Sequence, residues 1–361
     1  MTTKRTTGDY AFELIAPHAL AERFESLLRP LAVVSGSVDE RIVVRPTDQQ
    51  GLSITFAHRR PLATPSTTHA IRRVLSHLTR RSFDLRPDRL HLHAGVVGLP
   101  AGAVLIHGAR GSGKSTTVAS LLEPGGATYG SDESVGIDPT TGTAHSWPKP
   151  ILLRPAGADA LGLHQLDGDE HTVPYCPWEG GRPIGTEFRP RLIVGIRYEA
   201  GVRTRVQPLH PCDAAVGLAA NTFDLPRFEP RGLLTLCRLT SQVSSYEIVH
   251  GLPPAEIAAL VRRLVQRHGL RYPAPEVIPP RRADTGLGHG PRVEAVRVGD
   301  QLAAHSYAQR VAVSFDGPAT ELWQRIDGRI SAEQLAGDPP DPGVADFLER
   351  LAAVGLTTTR D

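Results

Sequence analysis

The run Gly108-Ala109-Arg110-Gly111-Ser112-Gly113-Lys114-Ser115 satisfies G-x-x-x-x-G-K-[ST] and lies between an apolar run, Ala103-Val-Leu-Ile-His107, and a helix-like run from Thr116 to Leu122. That flanking order gives the pattern its meaning. A strand, a glycine turn and a helix start point successive backbone N–H groups into one concavity, where the helix dipole adds positive potential for a chain of phosphates. The pattern therefore predicts an α/β layer with a nucleoside triphosphate held by residues Gly108 through Thr116. Lysine scarcity sharpens the point. Only Lys4, Lys114 and Lys149 occur among 40 basic residues, so positive charge elsewhere is written as arginine.

A chain of 361 residues suits two or three domains. No stretch approaches the ~20 continuous apolar residues of a membrane span, and the N-terminus leads into no signal-like apolar segment, so a cytoplasmic protein without a membrane partner is expected. Cys176, Cys212 and Cys237 are scattered, form no C-x-x-C pair and read as buried thiols. A formal net charge of +2 gives no global pull toward nucleic acid.

Residues Tyr272 to Pro291 are rich in proline and glycine and read as a linker, with neither helix nor ladder. The expected division is an N-terminal α+β segment (1–88), a catalytic domain (89–272), the linker (273–291) and a small C-terminal domain (292–361). The last of these holds 7 arginines, no lysine and 11 acidic residues, a net of −4 in a chain whose total is +2. In the first segment, patterning predicts strands at Tyr10–Ile15, Ala32–Val34, Arg41–Val44 and Leu52–Phe56, and helices at His18–Leu28 and Thr67–Thr79.

After the loop helix, the next strand ends in Ala127-Thr-Tyr-Gly-Ser-Asp132-Glu133. An acidic residue at the carboxyl end of a neighbouring parallel strand stands where nucleotide enzymes place a magnesium ligand or a base, so Asp132 and Glu133 are candidates for both roles, with Ser115 as a further Mg²⁺ ligand. Upstream, Leu90-His91-Leu92-His93-Ala94-Gly95 alternates in polarity and sends both histidines to one strand face. His91 reads as structural.

His93, the loop and the acidic pair together resemble the catalytic domain of HPr kinase/phosphorylase and its relatives, across residues 90 to 155 and more loosely 190 to 272. The resemblance implies an α/β P-loop core of the HPr kinase/PEP carboxykinase type, ATP and Mg²⁺ as cofactors, and phosphorylation of a serine or threonine hydroxyl. It implies that Lys114 contacts the β- and γ-phosphates, that Asp132 is the base, and that His93 assists catalysis. Two departures favour a kinase-only member: Ser131 stands where the family's bifunctional enzymes carry a second aspartate, and their E-x-R-G-x-G segment is absent. Arg110, Arg154, Arg189 and Arg191 are candidates for neutralising transition-state charge.

The tail carries a separate resemblance. Ala319-Thr-Glu-Leu-Trp323-Gln-Arg-Ile326-Asp327-Gly328, then Ile330-Ser-Ala-Glu-Gln-Leu335, and a helix face of Val344, Phe347, Leu348, Leu351 and Val354 are similar to the PqqD-type peptide chaperone, a small winged-helix-like α+β domain that recognises leader peptides of ribosomally made natural products. This implies a precursor peptide bearing a leader as substrate and partner, alongside other enzymes of the same pathway. The leader would add as a strand along Arg310, Val311, Ala312, Val313 and Ser314, against Phe347, Arg350 and Leu351. The same face leaves self-association open. Two other readings remain at this stage: a regulatory kinase for a folded carrier protein, and a non-catalytic, nucleotide-dependent leader adaptor.

Overall fold

A computed structural model describes residues 1–6, 10–47, 51–57, 59–123, 125–163, 172–267 and 271–359. The N-terminal segment forms a six-stranded sheet in the order Ala32–Val33, Thr2–Thr6, Ala11–Ile15, Glu40–Pro46, Leu52–Phe56, Leu62–Thr64. Its helices, His18–Leu27 and Thr67–Asp84, bury Leu20, Phe24, Ile71, Val74 and Leu78. The strands Thr2–Thr6 and Leu62–Thr64 carry too little apolar alternation to be read from sequence. Trp178, from the central domain, donates its Nε1–H to the Ser26 carbonyl (3.0 Å), and one continuous apolar core runs through both units.

The central sheet has six strands in the order Thr128–Ser131, Ala94–Leu99, Gly102–His107, Pro190–Tyr198, Ser244–His250, Arg205–Pro208. Gly102–His107, Pro190–Tyr198 and Ser244–His250 run parallel. The architecture is mixed α/β with parallel strands at its centre. One expectation needs correcting. The strand leading to Asp132 is not the neighbour of the loop strand; the antiparallel strand Ala94–Leu99 lies between them. Two reversals restore the direction, so the strand still delivers Asp132 to the loop end of the sheet. A Cβ at Gly95 would stand 2.7 Å from Val118 Cγ2 and 3.1 Å from the Ser131 carbonyl, so glycine lets the loop helix and the Asp132 segment close over this strand.

The expected linker is also corrected. Glu276–Ile278 pairs antiparallel with Val293–Val298, and Leu287–His289 pairs antiparallel with Thr357–Thr359. Proline removes a ladder donor only where it stands, and the other residues keep theirs, Gly288 itself pairing with Thr358. The C-terminal unit is a four-stranded sheet, Glu276–Ile278, Val293–Val298, Gln301–Ser306, Val311–Phe315, with helices Gly317–Arg325, Ala332–Ala336 and Pro342–Ala353. One face of its sheet packs on Trp323, Ile326, Leu348 and Leu351. The other face sends Val296, Val298, Ala303 and Tyr307 into a core shared with Leu233, Leu236 and Cys237 of the central domain. This unit is docked against the central domain.

That docking has a polar centre. The helix Gly232–Gln242 has no side-chain cap of its own, and its Leu233 and Leu234 amides instead donate to the Glu294 carboxylate, each at 2.9 Å. The Tyr307 hydroxyl also donates to Glu294 and accepts from the Gly232 amide at 3.0 Å. Burial holds the Glu294 carboxyl above its ordinary pKa, against the pull of these three donors. Ser314 on the outer strand donates to Asp213 at 2.5 Å.

Candidate active site

The loop strand Gly102–His107 ends at Gly108, and the loop helix begins at Lys114. Gly111 (φ 87°) and Gly113 (φ 88°) take left-handed conformations that a side chain would strain, and these two turns curl the loop back toward the helix start. Ser112 lies inside the curl. Its amide donates to Ala109, its carbonyl accepts from the Tyr198 amide, and its buried hydroxyl has no bonding partner among the described residues. An orphaned donor inside a loop of this shape fits an oxygen-rich ligand.

Lys114 is 7% exposed, and its Nζ lies 2.8 Å from His93 Nε2. Burial pushes the ammonium pKa down to about 8, partly offset by Asp132 and Glu133. Burial, then the adjacent Lys114 charge, lower the pKa of His93, which favours a neutral imidazole accepting from the ammonium. Ser115 donates its hydroxyl to Asp132 Oδ2 at 2.8 Å. Ser115 and Asp132 therefore converge on one point, an oxygen pair suited to a hard divalent cation.

Lys149 completes the cluster and was not selected from sequence. Its Nζ lies 3.1 Å from Asp132 Oδ1 and 2.9 Å from Glu133 Oε2, with its side chain 2% exposed. Burial alone would lower the pKa of this ammonium, but the two carboxylates outweigh it and raise the value above that of an ordinary lysine. Lys149 in turn holds the Glu133 pKa low. Its rarity was a usable signal, since it is one of three lysines and sits between Pro148 and Pro150.

The arginine candidates separate. A Cβ at Gly111 would stand 3.2 Å from Arg154 Nη1, so the Arg154 guanidinium lies against the phosphate loop. The segment after it also packs on the helix start, with Gly157 close to the Thr116 hydroxyl. Arg110 is exposed on the loop. Arg191 instead packs beside Gly102, at the opposite end of the loop strand, and Arg189 is exposed two residues away, which takes both from the phosphate side. His91 is structural: its amide and Nδ1 both bond Asp224, at 2.9 and 2.7 Å.

In the tail, Val311–Phe315 is an outer strand, and the exposed Arg310 precedes it. Phe347 is half-buried and meets Phe315 edge-on at 5.5 Å, while Arg350 is exposed and pairs with Asp346 at 2.7 Å. Leu351 is only 3% exposed and belongs to the tail core, so it cannot offer a peptide contact as expected.

No family model matches the chain, and no curated protein sequence matches it. Among solved structures, the HPr(Ser) kinase/phosphatase from Coxiella burnetii matches at 12% identity and a TM-score of 0.25, over 48% of this chain and 95% of that one. A likeness that distant carries no argument, and the reading of the site rests on its own geometry. No helix among the described residues is long and apolar enough to cross a membrane.

Proposed function

We propose that this chain transfers the γ-phosphoryl group of ATP or another nucleoside triphosphate to a hydroxyl of a peptide or protein. The observation that carries the reading is the convergence of Lys114, Ser115 and Asp132 at the loop end of the sheet, with the Ser115 hydroxyl 2.8 Å from Asp132. Phosphoryl transfer asks little covalent chemistry of a protein and is served by positioning and charge. The loop amides and Lys114 hold the β- and γ-phosphates. Asp132 orients the acceptor hydroxyl and takes its proton, and Lys149 and Ser115 fix the carboxylate in place. Arg154 adds positive charge on the loop's outer side. Mg²⁺, held by Ser115 and Asp132 with Glu133 beside them, would neutralise phosphate charge.

The finer reading makes the acceptor a serine or threonine of a ribosomally made precursor peptide, captured by its leader on the C-terminal unit. The tail's similarity to PqqD-type chaperones supports this. So does the outer strand Val311–Phe315, against which no further strand pairs among the described residues. A leader would add there as a strand, beside Phe347 and Arg350.

The test is transfer of labelled phosphate from ATP to full-length precursor peptide, compared with the same peptide whose serines and threonines are alanine. Transfer to the first alone is expected, and its loss in Lys114→Ala. ATP binding without transfer to any hydroxyl would leave an adaptor and refute the kinase reading.

A further inference from the structure

Phe223 is a large apolar side chain left half exposed (50%) beside the cluster just described. It is not loosely held. The Phe223 amide donates to the His91 carbonyl at 2.9 Å, and the His93 amide donates to the Asn221 carbonyl, so the segment 221–223 is clamped along the strand Leu90–Leu92 and along His93, which the structure places just past that strand's end rather than on its face as expected. A ladder bridge between Leu92 and Thr222 lies within the same clamp.

The rings form a series. His91, fixed by Asp224, stacks on Phe83 with centroids 4.3 Å apart. Phe83 meets Phe223 at 5.1 Å, and Phe223 meets His93 at 5.7 Å. His93 Nε2 then reaches Lys114 Nζ. The series is anchored at its buried end, and its exposed member, Phe223, stands one ring away from Lys114, with His93 between them. Since a loop lysine reaches the β- and γ-phosphates, His93 would flank the transferring group, with Phe223 one ring further out.

We infer that Phe223 is a specificity-determining contact for the acceptor, receiving an aromatic or large aliphatic side chain next to the hydroxyl-bearing residue. The inference rests on the kinase reading above and adds the class of peptide. A rigid exposed ring stacks on such a side chain at small entropic cost, since its own conformation is already fixed. A charged or small side chain in that place gains nothing from it.

The experiment measures kcat/KM for phosphate transfer from ATP to synthetic serine peptides that differ only in the residue before or after the serine: Phe, Leu, Ala or Asp. Wild type, Phe223→Ala and Phe223→Leu are compared. Wild type should favour Phe and Leu over Ala and Asp by roughly 10-fold or more. Phe223→Ala should flatten that ratio, and Phe223→Leu should keep part of it. The ratio isolates contact from folding, because a merely structural residue would lower all peptides alike. Equal selectivity in Phe223→Ala and wild type would overturn the inference. So would an equal loss with every peptide carried in the KM for ATP, which would give the ring to the nucleotide. Absence of transfer by wild type to every hydroxyl peptide would sink the kinase reading and this inference together, an outcome distinct from transfer without selectivity.

Discussion

Replacing Glu294 by alanine should loosen the C-terminal unit from the central domain and destabilise the whole chain. The carboxylate is 3% exposed and accepts from two backbone amides in the first turn of the helix Gly232–Gln242, as well as from the Tyr307 hydroxyl. Alanine leaves those donors buried at a helix N-terminus that has no cap of its own. Each stranded donor costs about 1–3 kcal/mol, and partial rescue by water brings the expected total to about 3–5 kcal/mol. At roughly 2 °C per kcal/mol for a chain of this size, the melting temperature should fall by about 6–10 °C. Glutamine, which keeps one acceptor oxygen, should cost about 1–2 kcal/mol. Thermal unfolding followed by circular dichroism reads both. If Glu294→Ala melts with wild type, the carboxylate does not hold the two units together and the docked arrangement is wrong.

The remaining expectations follow from the same contacts. His107 is fully buried, and burial lowers its pKa from 6.5 to about 4. Because the folded-state value is the depressed one, its contribution is complete above pH 6.5 and is lost as pH falls toward 4; it amounts to about 3 kcal/mol at most. His107→Gln should flatten unfolding free energy over that window, and an unchanged slope would refute the assignment. Lys149→Met strips the buried Asp132 of its cation and should cost about 3 kcal/mol along with most transfer activity, measurable by denaturant titration and phosphate release. A stable, active Lys149→Met would remove the lysine from the site. Proline at Val311 or Val313 should weaken leader binding to the outer strand in a pull-down or anisotropy assay while the chain stays folded; unchanged affinity would exclude strand addition there.

The phosphate loop was legible because its meaning is local: glycines, lysine and serine at fixed spacing between a strand and a helix. Asp132 was legible by the same logic, since one helix and one strand consume the intervening residues. The strand inserted between them was not, because adjacency in a sheet is set by distant pairing and leaves no mark on either strand. Lys149 was missed for a related reason. Its contact with Asp132 spans 17 positions and depends on the path of an irregular segment through Trp147 and two prolines that composition does not resolve. The misread linker shows a further limit. Glu276–Ile278 pairs just past the segment, with Ala295–Arg297, and Leu287–His289 pairs far beyond it, with Thr357–Thr359, while Gly288 admits the Ala283 backbone where a Cβ would stand 2.1 Å from its nitrogen. Docking of the tail rests on Glu294 and Tyr307, which in sequence are ordinary residues of an acidic domain.

The most direct measurement of the central claim is a single-turnover quench with enzyme in excess over a hydroxyl peptide, comparing wild type with Asp132→Asn. Asparagine keeps the shape and an acceptor for the Ser115 hydroxyl but cannot take the acceptor's proton. Transfer should slow by about 10² or more while ATP affinity stays within a few-fold, the loss expected for a positioned base. Transfer at nearly the wild-type rate would show that Asp132 is not the base and that the cluster around Lys149 serves the fold instead.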